Sequence, residues 1–182
     1  VLTIRSGPGG GPVVRRPRPA DLGEALTLIL QFESATFREV MEARAWLEPI
    51  VTRSAAAAIS KSAIAALREV NAAIMEAPED IDAFSRHNRR FHSIIAENCG
   101  NVVLQVFAET LIAVGDGRSV GISYPVPQVT AIAGSHAQII AALEAHDADA
   151  AETAMRAHLG EATTYWRRRF GDLTSRPVRW TS

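Results

Sequence analysis

The stretch DIDAFSRHNRRFHSIIAENCGNVVLQVFAETL, residues 80–111, decides the architecture. It reads as two helices with a break built in between them. Asp80 or Asp82 can cap the first, and Phe84, Phe91, Ile94 and Ile95 follow at helical spacing. Cys99-Gly100 stops that run, and Asn101 is placed to cap a second helix carrying Val103, Leu104, Phe107 and Leu111. Helix, short break, helix is the repeating grammar of an antiparallel bundle.

The same grammar extends in both directions. Upstream, Asp21 starts a helix through about Phe32, with Leu22, Leu26 and Ile29 on one stripe. Thr36 starts a second, with Val40, Ala43, Leu47, Ile50 and Val51 recurring, and Ser60 caps a third bearing Ile64, Leu67, Val70 and Ile74 before Pro78. Downstream, a loop rich in Gly, Ser and Pro spans about Gly115 to Pro127. Two helices follow, roughly Val129–Ala145 and Ala150–Phe170, joined by DADAAE (147–152), in which Asp149 and Glu152 have the spacing of a capping box. The expected fold is therefore all-α, an antiparallel bundle of about six to seven helices. No heptad run supports a coiled coil.

The first nineteen residues differ. VLTI and PVVRR are short β-branched runs around SGPGGG, which reads either as a β-hairpin or as a flexible glycine-rich leader, and RRPRP reads as a linker. At the other end the basic RPVRW, 176–180, reads as a frayed terminus.

Composition narrows the function classes. A chain of 182 residues, 47% apolar and 21% charged, has the size and make-up of one globular domain. The net charge of −1 gives no general electrostatic case for nucleic acid or an anionic membrane. Cys99 is the only cysteine, so no internal disulfide can form, and a reducing cytoplasm is the expected compartment. No apolar run approaches the ~20 residues needed to span a bilayer, so no membrane partner is expected.

The polar residues that stand out are histidines. Asn88 and His92 lie about 40° apart on one helical face and can aim at a common atom, whereas His87 lies about 140° from His92. Arg89 and Arg90 leave that face and read as solvent-facing or paired. His136 and His158 each sit among apolar neighbours on the last two helices. A lone histidine on such a stripe is ordinarily a core residue whose ring is hydrogen-bonded. Three on separate helices, one joined by an amide four residues earlier, also suit a metal held inside a bundle. The sequence has no phosphate-binding loop, no GxGxxG after a strand, no HExxH and no GxSxG elbow. Nothing in it argues for an enzyme.

EARAWLEPIVTRSAA (42–56), FSRHNRRFHSIIAENCGNVVL (84–104) and SHAQIIAALEAHDADAAETAMRAHL (135–159) together resemble the FCD effector-binding domain of the FadR subfamily of GntR transcriptional regulators. IRSGPGGGPVVRRP (4–17) is similar to the strand, wing and strand that close the winged helix of those proteins. The resemblance implies a wing remnant and linker over 1–19, an effector-binding and dimerisation domain over 20–172, and a tail over 173–182. The recognition helix would lie upstream of Val1.

Metal-binding members carry an aspartate, a histidine four residues later and two further histidines. The matching positions here are Asn88, His92, His136 and His158, with an asparagine where the aspartate stands. The implied cofactor is a divalent metal, zinc first, with nickel or manganese as alternatives. The implied partners are a small organic-acid effector, operator DNA through the winged helix, and a second copy in a homodimer. Arg44 matches a family arginine and could meet an effector carboxylate, or instead pair with Glu48 or Glu42 at helical spacing. Two alternatives stay open: a metal-free member binding an acyl ligand, and a metal-dependent helical-bundle hydrolase or lyase.

Overall fold

The computed structural model describes residues 1–7, 9–115 and 123–178. Most of the loop expected after Gly115, and the last residues of the basic end, lie outside them. The described residues form a two-stranded hairpin, β1 (Leu2–Arg5) and β2 (Gly11–Val14), and seven helices. These are α1 (Pro19–Phe32), α2 (Phe37–Ala56), α3 (Lys61–Glu76), α4 (Ile81–Glu97), α5 (Val102–Val114), α6 (Val126–Glu144) and α7 (Ala148–Thr174). The fold is the expected all-α bundle behind a short hairpin. No helix among the described residues is long and apolar enough to cross a membrane.

Local chemistry sets most boundaries. Asp80 accepts from the Ala83 N–H at 2.8 Å to start α4, and Asn101 accepts from the N–H groups of Val103 and Leu104 to start α5. Between them Gly100 takes φ +71°, the left-handed conformation that favours glycine and lets the chain reverse. Thr36 and Glu39 form a reciprocal capping box at α2, and Ser60 caps α3. At α7 the expectation fails. Asp147 is the cap, and Asp149 and Glu152 instead both engage Arg53 of α2. α7 also runs past Phe170, whose non-helical φ/ψ breaks it, to Thr174.

The main core gathers Leu67 of α3, Phe91 and Ile95 of α4, Ile139 and Leu143 of α6, and Met155 and Leu159 of α7. α2 packs along α7, α3 against α4 and α6, and α1 against α5. The face of α1 differs from the expected stripe. Leu22 and Ile29 are exposed, and Gly23, Leu26 and Leu30 face inward. α1 is apolar nearly all round, so its periodicity does not choose a side. Docking on α5 does: Gly23 lies on the docked face, where a Cβ would make ordinary contact with that of Ala113 at 3.4 Å. Phe107 and Val103 of α5 are likewise exposed, and Ala108 and Ile112 are buried.

The hairpin exists, with Leu2 opposite Val14 and Arg5 opposite Gly11. The chain end is not frayed through Val178. Pro177 bridges Thr36, the Val178 N–H donates to Ala35 C=O at 2.8 Å, and Val178 is buried with Phe37 and Trp166. Val178→Ala should therefore cost about 2 kcal/mol, from the loss of two buried methyl groups. A urea midpoint equal to that of wild type would mean the end does not dock in solution.

Candidate metal centre

α4, α6 and α7 each place one histidine on an inward stripe, and the bundle brings His92, His136 and His158 together. All three are buried, and one nitrogen from each lies within 4.8 Å of the others. The ring centroids are 4.8 to 5.7 Å apart, and His136 also stacks on Phe91 at 3.7 Å.

What each ring does with its Nδ1 decides the chemistry. His92 Nδ1 lies 2.5 Å from Oε2 of Glu48, which is held as a carboxylate and can only accept. His136 Nδ1 lies 3.2 Å from Oδ1 of Asn71, whose NH₂ is turned away to donate to Ala133 C=O. His158 Nδ1 lies 2.7 Å from Ser135 Oγ, whose hydrogen is given to Ile132 C=O. In each case the imidazole donates from Nδ1, and in a neutral ring its Nε2 then carries a lone pair.

Those lone pairs converge. Nε2 of His92 and of His158 are 3.3 Å apart, and Nε2 of His136 is buried with no hydrogen-bond partner. Leaving such a group unsatisfied costs about 1–3 kcal/mol, and lone pairs that face each other repel unless a cation lies among them. Imidazoles fixed through Nδ1 and aimed through Nε2 are how proteins orient metal-ligating histidines. The donor set fits a divalent transition ion.

Burial favours the neutral form of two of the rings, His136 and His158. Burial pushes His158 down to about 3, helped by His92 and Arg44 and opposed by Glu48. Burial, then His158 and His92, holds His136 well below the usual histidine range. Burial opposes the charge on Glu48, but Arg44 and His92 outweigh it and hold its carboxyl at about 2.

These shifts make a prediction for the metal-free protein. The unfolded chain takes up protons on His136 and His158 near pH ~6.5, and the folded chain does so only at lower pH. Between those limits the unfolded state binds more protons, so stability falls as pH drops below about 6.5. Urea midpoints of chelator-treated protein should decrease from about pH 7 to pH 5, and a flat profile would contradict neutral buried rings.

A cavity of about 30 Å³ opens beside the cluster, lined by Arg44, Asn88, Arg89, His92, Tyr124 and His158 among others. That is space for roughly two water-sized groups. Asn88 is half-buried on the same side as His92, and His136 is not part of this lining. Arg89 is half-buried and lines the cavity, while Arg90 is exposed and paired with Glu97. Arg44 takes up one of its two alternatives, the pair with Glu48. Its Nε donates to Glu48 at 2.5 Å, its Nη1 donates to Gly115 C=O at 2.9 Å, and the side chain lines the cavity. Gly115 is needed for that approach, since a Cβ there would lie 3.0 Å from Arg44 Cδ.

Sequence reasoning missed Asn71, Ser135 and Glu48 as partners of the rings. Only Glu48 left a signal, as a possible ion-pair partner of Arg44.

The described residues thus form an all-α bundle with a buried cluster of nitrogen donors beside a small cavity. Residues 39–161 match the FCD domain, and the chain belongs to that family. Among solved structures it resembles Streptococcus agalactiae GntR, with 21% identity over 90% of this chain and 74% of that one, at a TM-score of 0.63. It also resembles E. coli McbR/YncC, with 18% identity over 72% of this chain and 64% of that one, at a TM-score of 0.64. At these identities the likeness establishes the fold. This chain thus spans less than two-thirds of McbR/YncC. No curated protein matches it.

Proposed function

We propose that this chain is the ligand-sensing part of a GntR-type transcriptional regulator of the FadR subfamily. In this reading His92, His136 and His158, with Asn88 beside them, hold a divalent metal, zinc first and nickel or manganese as alternatives. The observation that carries it is the convergence of three Nε2 lone pairs whose rings are locked through Nδ1. When bound, the ion supplies a Lewis-acidic centre for an anionic ligand. The protein contributes position: Arg44 lines the adjoining cavity, so a small carboxylate would meet the guanidinium on one side and the metal on the other.

Asn88 brings no charge, so three imidazoles and an amide leave the ion's +2 uncompensated, which raises the benefit of an anionic effector. The effector acts only if it binds the DNA-competent and DNA-incompetent states unequally. The two winged helices of a cytoplasmic homodimer, with residues 1–19 as wing and linker and the bundle from residue 20 as the sensing and dimerising unit, would read operator DNA. A larger acyl ligand is disfavoured by the 30 Å³ cavity. A hydrolase or lyase is disfavoured because Glu48, the buried carboxylate nearest the rings, is already committed to Arg44 and to His92 Nδ1.

Elemental analysis of protein purified without added metal tests the reading. It should find about one equivalent of metal per chain, and stripping with chelator should lower the melting temperature, with recovery on adding zinc. If none co-purifies and none of zinc, nickel or manganese shifts the melting temperature, the centre is not a metal site.

A further inference from the structure

Glu48 joins the two halves of the site. Its Oε1 accepts from Arg44 Nε and its Oε2 from His92 Nδ1, both at 2.5 Å, and the side chains of Arg44 and Glu48 are 5% and 4% exposed. It is the carboxylate that the described structure places in contact with the histidine cluster.

We propose that Glu48 supplies, through the His92 ring, the negative charge that Asn88 withholds from the metal, and that Arg44 sets how much of that charge the metal receives. This rests on the metal reading above. A metal on Nε2 draws electron density from the imidazole and makes its Nδ1–H more acidic, so a carboxylate on Nδ1 raises the ligand strength of the ring. Glu48 is fully desolvated, so water does not dilute its charge. Arg44 competes for the same carboxylate. Its Nη2 has no protein acceptor among the described residues, and an anion placed there would take up guanidinium charge and leave Glu48 more fully to His92.

A structural reading of Glu48, as a buried ion-pair partner that merely holds Arg44, makes a different prediction. It requires metal affinity to be indifferent to Glu48 once Arg44 is gone. The opposing signs of the two substitutions separate these possibilities.

Cobalt(II) affinity should be measured by visible absorption, in competition with a chelator, on the whole chain. Wild type would be compared with Glu48→Gln, Arg44→Gln and the double variant. Glu48→Gln should weaken cobalt binding about 10- to 100-fold, and Arg44→Gln should tighten it. The double variant should bind more weakly than Arg44→Gln by a similar factor. Glu48→Gln leaves Arg44 without its counter-ion and Arg44→Gln leaves the Glu48 carboxylate without its guanidinium, so urea midpoints of every variant accompany the cobalt titrations. The pair of neutral amides in the double variant avoids both, and its comparison with Arg44→Gln alone decides the question. Equal affinities for those two variants overturn the proposal while wild type still binds cobalt. Wild type that binds no cobalt overturns the metal reading, and this proposal with it.

Discussion

His136→Leu should melt no lower than wild type in chelator, and about 5–10 °C lower in saturating zinc. The first half follows from burial. His136 is fully buried with its Nε2 unsatisfied, a defect worth about 1–3 kcal/mol that an apolar side chain of similar size removes. The lost bond to half-buried Asn71 is a smaller term, because water can reach that amide. The second half follows from linkage. Metal at 100 times its dissociation constant stabilises the folded state by about 2.7 kcal/mol, and a chain of this length gains about 2–4 °C per kcal/mol. Removing one ligand of the set should weaken the metal by about a hundredfold or more and forfeit that gain. Differential scanning calorimetry of both proteins with and without zinc reads the effect. A variant that is destabilised equally in both conditions would show that His136 is only a packing residue.

Glu48→Ala should be the most damaging single change at the site, costing about 3–5 kcal/mol and lowering the melting temperature by about 10 °C. The carboxylate satisfies two donors at once, Arg44 Nε and His92 Nδ1, and both lie out of water. Its removal leaves a buried guanidinium without a counter-charge, which is the expensive way to break a buried ion pair. Replacing both members with glutamine should cost much less, because no charge is left behind. Urea denaturation of the two variants checks this. Equal losses would mean that packing volume, and not charge, accounts for the destabilisation.

Much of the bundle was legible because helix boundaries depend on nearby atoms. Asp80, Asn101, Thr36 and Ser60 cap helices whose first N–H groups lie two or three residues away, and Gly100 turns the chain where a side chain would be strained. The inward histidines were legible for the same reason, since Asn88 and His92 share a face by helical phase and His136 and His158 sit on apolar stripes. Where two local solutions compete, sequence reasoning chose wrongly. Asp147 and Asp149 both lie at the start of α7, but Asp147 is the cap and Asp149, inside the first turn, is drawn into an ion pair with Arg53, 96 residues away. α1 offers apolar residues on every side, and only its docking on α5 assigns Leu22 and Ile29 to the outside. Helical phase takes Arg89 off the Asn88/His92 face, yet the packing of the bundle still brings it to the cavity lining.

The sequence by itself determined the helices, the caps of α2 to α5 and the three histidines, because those depend on spacing along one chain segment; at α1, Arg18 and not Asp21 holds the N-cap position. Only the tertiary structure decided what the histidines are. Their Nδ1 partners, Glu48, Asn71 and Ser135, lie 44, 65 and 23 positions away on α2, α3 and α6. No periodicity links residues on different helices, so the tautomers, and with them the direction of every lone pair, are set by how the helices pack. The asparagine at position 88 takes its meaning from the same packing. It brings no charge of its own, and among the described residues the buried carboxylate that reaches the cluster does so from α2, through the back of the His92 ring.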